Sequence, residues 1–293
     1  MPSVSASASV FIVGPASWNR IVVLDRLPEP VPHMQFAEET WETVGGTSAG
    51  KALSLTALGR STQLHAIAGT DAEGARVREA LSAAGVQAHW HDGVTERHLN
   101  LMTRQGRRVS LYLSLPQASE GEQDAWMRDR MTAADAVVLD LAAEPLRVLP
   151  LARETGTPIW VDVHDYDGTA QYHRPFLEAA HAVFCNADRL DDPVAFLRSR
   201  IAAGAGLAVC TLGADGAVAV DEDGAVHRVP AVPVEIVDTN GAGDAFLAGV
   251  LDARLDGAGI TAALEAGARS AASVLRTRHL HPLLDVVLGV AGE

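Results

Sequence analysis

Residues 238–246 read Asp-Thr-Asn-Gly-Ala-Gly-Asp-Ala-Phe, with two glycines bracketing an alanine just ahead of an apolar-striped segment. A strand-like Val234-Glu235-Ile236-Val237 precedes them, and a helix is expected over 245–255, with Phe246 and Val250, and Leu247 and Leu251, four apart on its core face. At such a junction backbone N–H groups converge on a helix N-terminus, where unpaired donors and the positive end of the helix dipole attract an anion. Gly241, Ala242 and Gly243 are therefore a candidate anion hole of phosphate size. Asp244 does not suit a pure anion hole, because its charge opposes the ligand at short range. It suits a reacting group: in phosphoryl transfer an acceptor hydroxyl gives its proton to a carboxylate while backbone N–H groups hold charge on the moving phosphoryl. A plainer reading is a first-turn acid that stabilises its helix by about 0.3–1 kcal/mol.

These residues need a scaffold, and the chain supplies one. Short β-rich apolar runs alternate with helical stretches, which is the sequence form of βαβ units in an α/β fold with a largely parallel sheet. Strands are expected over 10–13, 136–141, 159–163, 182–185, 207–211 and 217–220, and helices over 49–58, 75–84, 146–154, 193–203, 245–255 and 261–275. Two segments break the pattern. Residues 21–27, and residues 97–102 paired across Arg104-Gln105-Gly106-Arg107 with 109–113, read as half-exposed antiparallel strands. They predict a small β lid within about 17–43 and 95–115, inserted into one domain over 1–293.

Composition limits the partners. The 293 residues are 48% hydrophobic and 20% charged, and 23 basic against 37 acidic residues leave a formal charge of −14. Such a field repels phosphodiester backbones, and the densest basic cluster, Arg104, Arg107 and Arg108, is too short to reverse it, so nucleic acid is not expected as a partner. Cys185 and Cys210 lie in apolar runs and read as core residues of a reducing compartment, not as a disulfide. The first apolar run is short and no Lys or Arg precedes it, unlike a signal peptide, and nothing approaches eighteen consecutive apolar residues. A cytoplasmic protein without a membrane partner is expected.

The segment Asp238 to Asp244, DTNGAGD, is similar to the C-terminal signature of the ribokinase (PfkB) family of ATP-dependent sugar and nucleoside kinases. Gly45-Gly46 opening a helix, Ala57-Leu58-Gly59 closing it and Gly69-Thr70-Asp71-Ala72-Glu73-Gly74 resemble the N-terminal signature. Asn186 and Thr211-Leu212-Gly213-Ala214-Asp215-Gly216 follow in family order, so the likeness spans about 10–275. It implies a ribokinase-like fold and a kinase using ATP and Mg²⁺, with Asp244 as base and Gly241, Ala242 and Gly243 as anion hole. It also implies that Thr211, Gly213 and Gly216 belong to the ATP turn, that Asn186 lies near the phosphates and Mg²⁺, and that Asp238 and Thr239 sit where some members hold a monovalent cation such as K⁺. Asn19, Gly45, Gly46, Thr47, Gly50 and Lys51 fall in the substrate-binding stretches.

Three departures stand out. Asn19, after Ser17-Trp18, replaces a carboxylate that reads substrate hydroxyls; Gly50 replaces an asparagine; and Asn186-Ala187-Asp188-Arg189 lacks the metal-linked Glu. Lys51, the chain's one lysine, reads either as a substrate or phosphate contact or as a surface residue. The resemblance implies a sugar or sugar-like acceptor, with a nucleoside as the alternative, for which Trp18 offers a ring to stack on a base. A catalytically silent ligand binder on the same scaffold is the reading from another class. Lid edges that can pair between subunits predict a homodimer.

Several motifs mislead. Gly45 to Ala52 nearly spells a P-loop, but Ala52 has no hydroxyl for Mg²⁺; Gly241 to Phe246 ends in Phe where a dinucleotide turn needs a small residue. His89 and His91, and His279 and His281, have metal-pair spacing without a third ligand and read as an exposed edge strand and a terminal loop. Asp162, Asp165 and Asp167 do not complete a Ca²⁺ loop, although Asp162 at a strand end lies where open α/β sheets collect ligands. Asp221-Glu222-Asp223-Gly224 reads as a hairpin turn.

Overall fold

A computed structural model describes residues 8–289; the N-terminal stretch read against a signal peptide lies largely outside them. The chain runs β1 (Ser9–Val13), β2 (Ser17–Leu24), β3 (Glu39–Gly45), α1 (Thr47–Ala57), β4 (Ser61–Ala68), α2 (Ala72–Ala83) and β5 (Gln87–Asp92). A hairpin of β6 (Glu96–Thr103) and β7 (Arg108–Ser114) follows, then α3 (Asp124–Ala133), β8 (Ala136–Leu139), α4 (Ala143–Thr155), β9 (Ile159–Asp162), α5 (Arg174–Ala179) and β10 (Ala182–Asn186). The remainder is α6 (Pro193–Ala202), β11 (Leu207–Thr211), β12 (Ala217–Asp221), β13 (Val226–Val229), α7 (Ala242–Leu255), α8 (Ile260–Val274) and α9 (Pro282–Leu288).

Among the described residues the main sheet has nine strands in the order β13-β12-β11-β10-β9-β8-β1-β4-β5. It is parallel from β5 to β11 and antiparallel over β11-β12-β13. Parallel strands are covered on both faces, and the sequence shows this as the unbroken apolar runs of β8 and β11. Side chains of β1 alternate: Val10 and Ile12 enter the layer with Leu53 of α1 and Leu247 of α7, while Phe11 and Val13 enter the layer with Met127 of α3 and Val148 of α4. The C-terminal ends of the parallel strands form one rim, carrying Gly14, Asp140, Asp162, Asn186 and Thr211.

The predicted lid is a second, mixed sheet of order β3-β2-β6-β7, in which β2 runs parallel to β6 and antiparallel to β3. Its first strand is Ser17–Leu24 rather than 21–27, and its partner β3 hides behind the polar run Glu-Thr-Trp-Glu-Thr, of which only the last residue, Thr43, is buried. The helix α3 escapes the sequence reading for a similar reason, burying only Met127 and Met131. The strand expected at Val234–Val237 does not form. Pro230 and Pro233, both on its N-terminal side, lack ladder donors, and the Val237 N–H bonds the Leu275 carbonyl at the end of α8 instead. Asp221-Glu222-Asp223-Gly224 is the β12–β13 hairpin turn.

Candidate active site

A cleft of about 1140 Å³ lies between the rim and the lid. Asp244 stands on its wall in the first turn of α7, which starts from Gly241 in the left-handed region (φ 79°). The glycine is required there: a Cβ would strain that φ and would lie 2.7 Å from the Leu280 carbonyl. The Gly241-Ala242-Gly243 turn thus opens a fourteen-residue helix toward the cleft, with Gly241 and Gly243 on the wall.

Behind Asp244 lies Lys51, which is neither on the surface nor on the cleft wall. It is wholly buried in α1, and its Nζ donates to Asp244 Oδ1 at 2.6 Å and Asp140 Oδ1 at 2.8 Å, with Asp162 Oδ2 at 3.7 Å. Ser48 Oγ donates to the other Asp140 oxygen at 2.5 Å. Burial alone would pull the ammonium down, but the three carboxylates outweigh it and hold Lys51 above the usual range. For Asp244 the balance is opposite: burial and the neighbouring Asp140 outweigh Lys51 and push the carboxyl up to about 6. Burial also raises Asp162, but His164 and Lys51 more than compensate, leaving it below its ordinary value.

His164, at the end of β9, is the one non-glycine residue with positive φ among the described residues (φ 50°); its backbone N–H donates to Asp162 Oδ1 at 2.9 Å, and its ring lines the cleft. Asn19 is buried on the opposite wall, with Oδ1 accepting from Ser17 Oγ at 2.8 Å and its amide packed against Gly45. Gly46 and Thr47, at the start of α1, complete this wall, while Gly50 lies beneath Asp244.

The lid inverts the usual polarity of a half-exposed sheet. Glu96, His98 and Asn100 on β6, and Arg108, Ser110 and Tyr112 on β7, face the cleft, while Leu99, Leu101, Val109 and Leu111 pair on the outer side. Glu96 accepts from the His98 ring at 2.8 Å, and the buried Asn100 Oδ1 has no protein partner. Arg108 donates to Asn240 Oδ1, linking the lid to the turn that opens α7.

At the other end of the cleft Asn186 and Thr211 line the wall from the tips of β10 and β11. The Asn186 Oδ1 accepts from the Asp188 N–H at 3.1 Å, and Asp188 also faces the cleft. Gly213 and Gly216 form the turn beyond them, where Gly216 packs on the Val229 carbonyl. Asp238 is buried, with Oδ1 accepting from the Asn240 N–H at 2.8 Å and its side-chain amide at 2.9 Å; burial holds its carboxyl above the ordinary value. Thr239 follows it on the cleft wall.

Other expectations change with the structure. Trp18 is buried under the guanidinium of Arg76 and offers no ring to the cleft; Tyr112 and Tyr172 line it instead. His279 and His281 lie in the loop between α8 and α9 and are buried there: His279 bridges Thr43 and the Gly289 carbonyl, and His281 caps α9. His89 is half-buried on edge strand β5 and stacks on Trp126 at 3.9 Å. Cys185 and Cys210 occupy paired positions on β10 and β11 as buried free thiols. Sequence reading missed Asp140, although Ala-Val-Val-Leu-Asp carries the same strand-end signal as Asp162; it missed the cleft face of the lid, although residues 96, 98 and 100 are polar at a period of two.

This chain belongs to the pfkB family of carbohydrate kinases, whose model matches residues 7–283. It is accordingly an ATP-dependent phosphotransferase with an alcohol group as acceptor. It is 31% identical over 271 residues to the acarbose 7(IV)-phosphotransferase of Actinoplanes sp., covering 90% of this chain and 91% of that one. A nucleoside kinase of Methanothermobacter thermautotrophicus is 29% identical over 274 residues, covering 87% and 85%. The microbiome-derived acarbose kinase Mak1 superposes with a TM-score of 0.79 at 28% identity over 98% of this chain and 100% of that one. Ribokinase from Thermotoga maritima, at 15% identity and a TM-score of 0.78 over 97% and 100%, shares the fold. No helix among the described residues is long and apolar enough to cross a membrane.

Proposed function

We propose that the chain transfers the γ-phosphoryl group of ATP to a hydroxyl of a neutral sugar or sugar-like acceptor, with Asp244 as base and the Gly241-Ala242-Gly243 turn as cradle for the phosphoryl group. The observation that carries this reading is a buried carboxylate in the first turn of α7, facing a cleft whose opposite wall is a polar lid. The acceptor hydroxyl approaches Asp244 and gives up its proton as its oxygen bonds to the γ-phosphorus and ADP departs, while first-turn N–H groups of α7 hold the phosphoryl charge. Glu96, Asn100 and Asn19 offer acceptors and donors suited to a ring of hydroxyls, and the Arg108–Asn240 contact couples lid position to the cradle. The two acarbose kinases support a sugar-like acceptor of more than one ring, for which Tyr112 and Tyr172 supply apolar faces.

Members of the family use ATP with Mg²⁺, which neutralises charge on the β- and γ-phosphates when bound. Asp188 and Asn186 are hard oxygen donors on the cleft wall and fit that ion beside the phosphates, with Thr211 at the nucleotide's end of the cleft and Gly213 and Gly216 in the turn just beyond it. A monovalent cation beside Asp238 and Thr239 is tested by exchanging K⁺ for Na⁺. Residues 1–293 act as one kinase domain in a reducing, cytoplasmic setting, consistent with the two free thiols. The apolar outer face of the lid and the open edge of β7 support a homodimer through the lid, which a monomeric mass at micromolar concentration overturns.

The test is coupled ADP release against pentoses, hexoses, acarbose and nucleosides. Turnover of a sugar-like acceptor that falls about 10²–10⁴-fold in Asp244→Asn supports the reading. Preferred turnover of nucleosides favours the second acceptor class, and ligand-induced thermal stabilisation without any phosphorylated product favours a silent binder.

A further inference from the structure

We propose that Lys51 is a positioning residue for the transfer: its ammonium holds one oxygen of Asp244 and keeps the other oxygen aimed at the acceptor hydroxyl. The inference rests on the reading of Asp244 as base. In a chain with 23 basic residues, this one lysine is wholly buried, and its Nζ sits where the ends of β8 and β9 and the first turn of α7 converge. It bonds Asp244 Oδ1 at 2.6 Å and Asp140 Oδ1 at 2.8 Å, so the two carboxylates are tied through a single cation. Asp244 Oδ2 lies over the bare Cα of Gly50, outside the Lys51 contact, and in this proposal is the oxygen that meets the acceptor.

The electrostatics require such a cation. Asp244 is faced by Lys51 from α1, by Asp140 after β8, and by Asp162 and His164 at the end of β9. Without the ammonium, three buried carboxylates would confront one another, and Asp244 would bind a proton at neutral pH and cease to be a base. With it, Asp244 titrates near 6 and is mostly ionised at pH 7. During transfer the hydroxyl proton passes to Asp244, the hydroxyl oxygen bonds to the γ-phosphorus, and the bond from that phosphorus to the bridging oxygen breaks with its electron pair leaving on ADP. Lys51 neither gives nor takes a proton. Asp140 remains its counter-ion when Asp244 becomes neutral, so the ammonium stays in place while Asp244 gives the proton up to solvent and is restored as a base.

The test is the pH dependence of kcat and KM in the full-length enzyme for Lys51→Met and Asp140→Asn, with Asp244→Asn as reference and thermal unfolding to verify folding. Loss of the ammonium in Lys51→Met raises the acid limb of kcat by about two pH units, so kcat at pH 7 falls about tenfold and recovers toward pH 9. The KM values for acceptor and ATP stay within about threefold, because Lys51 does not touch the cleft. Loss of a negative neighbour in Asp140→Asn moves the same limb the other way, to lower pH. Opposite displacements are not produced by a merely structural role, and the Asp140 variant tests the idea even if Lys51→Met fails to fold. An inactive Asp244→Asn with both limbs at the wild-type position overturns the inference alone. An active Asp244→Asn overturns the base reading and the inference with it.

Discussion

Gly50 lies within α1, where alanine ordinarily improves a helix by about 0.5–1 kcal/mol. Here a Cβ would lie 2.8 Å from Asp244 Oδ2, 3.0 Å from its Cβ and 3.2 Å from its Cγ. Ordinary van der Waals contact begins near 3.4 Å, so Gly50→Ala must drive the carboxylate back by about 0.6 Å or turn it off Lys51. A misplacement of about 1 Å at a reacting group is worth about 10²-fold, so the expected loss in kcat is about tenfold, or about 1.4 kcal/mol in the barrier. The helix gain and the steric strain nearly offset each other, leaving the melting temperature within a few degrees of wild type. Gly50→Asn, which restores the residue usual in the family, loses more because its side chain is larger. Steady-state ADP release paired with calorimetry separates the two effects. A Gly50→Ala enzyme with kcat within twofold of wild type and a raised melting temperature would refute the placement of Asp244 against this helix.

Arg108→Ala cuts the lid from Asn240 and is expected to raise acceptor KM about tenfold with a smaller effect on the KM for ATP, measured by varying each substrate in turn. His164→Gly relieves a left-handed backbone, so the protein gains up to about 1 kcal/mol in chemical denaturation while activity falls through the lost ring on the cleft wall. Glu144 is buried in α4 and accepts from the Ser119 N–H at 2.7 Å and from Arg147 at 2.7 Å, anchoring the segment that returns from the lid. Burial works against this carboxylate, but His65, Arg147 and Ser119 prevail and hold it well below its ordinary value of 4.5. A carboxyl depressed in the folded state contributes stability above the unfolded value and loses it as pH falls toward the folded one. Glu144→Gln should therefore cost about 2 kcal/mol at pH 7, with the gap to wild type closing on acidification below 4.5, as followed by urea denaturation across pH.

Local chemistry was legible in the residues themselves. The Asp238–Asp244 turn, the apolar strands β8 to β12 and the lid hairpin all depend on contacts between near neighbours in sequence, so spacing and residue type were enough to find them. Asn186, Thr211 and Asp162 stand at strand ends in the sequence, and they reach one rim because parallel strands place their C-terminal ends together. The lid's first strand begins later in the sequence reading and β3 is absent from it because Ser17, Asn19 and Arg20 of β2, and Thr40, Glu42 and Thr43 of β3, put polar side chains on both faces and leave no clean alternation there. The segment Val234–Val237 shows the converse: an apolar run stays outside a sheet where the prolines before it lack ladder donors and its last N–H is committed to the Leu275 carbonyl.

Lys51 marks the limit most clearly. Its charge and position in α1 were plain from the sequence, and they suited a surface residue or a ligand contact. Burial with Asp140, 89 residues along the chain, and Asp244, 193 residues along it, is set by how α1, β8 and α7 pack, and no local pattern encodes a meeting of that range. The sequence by itself determined which groups carry charge and which turns accept an anion, because those are properties of neighbouring residues. Only the tertiary structure decided which carboxylate shares the ammonium and which groups water is kept from, because desolvation and ion pairing arise where distant segments close on one another.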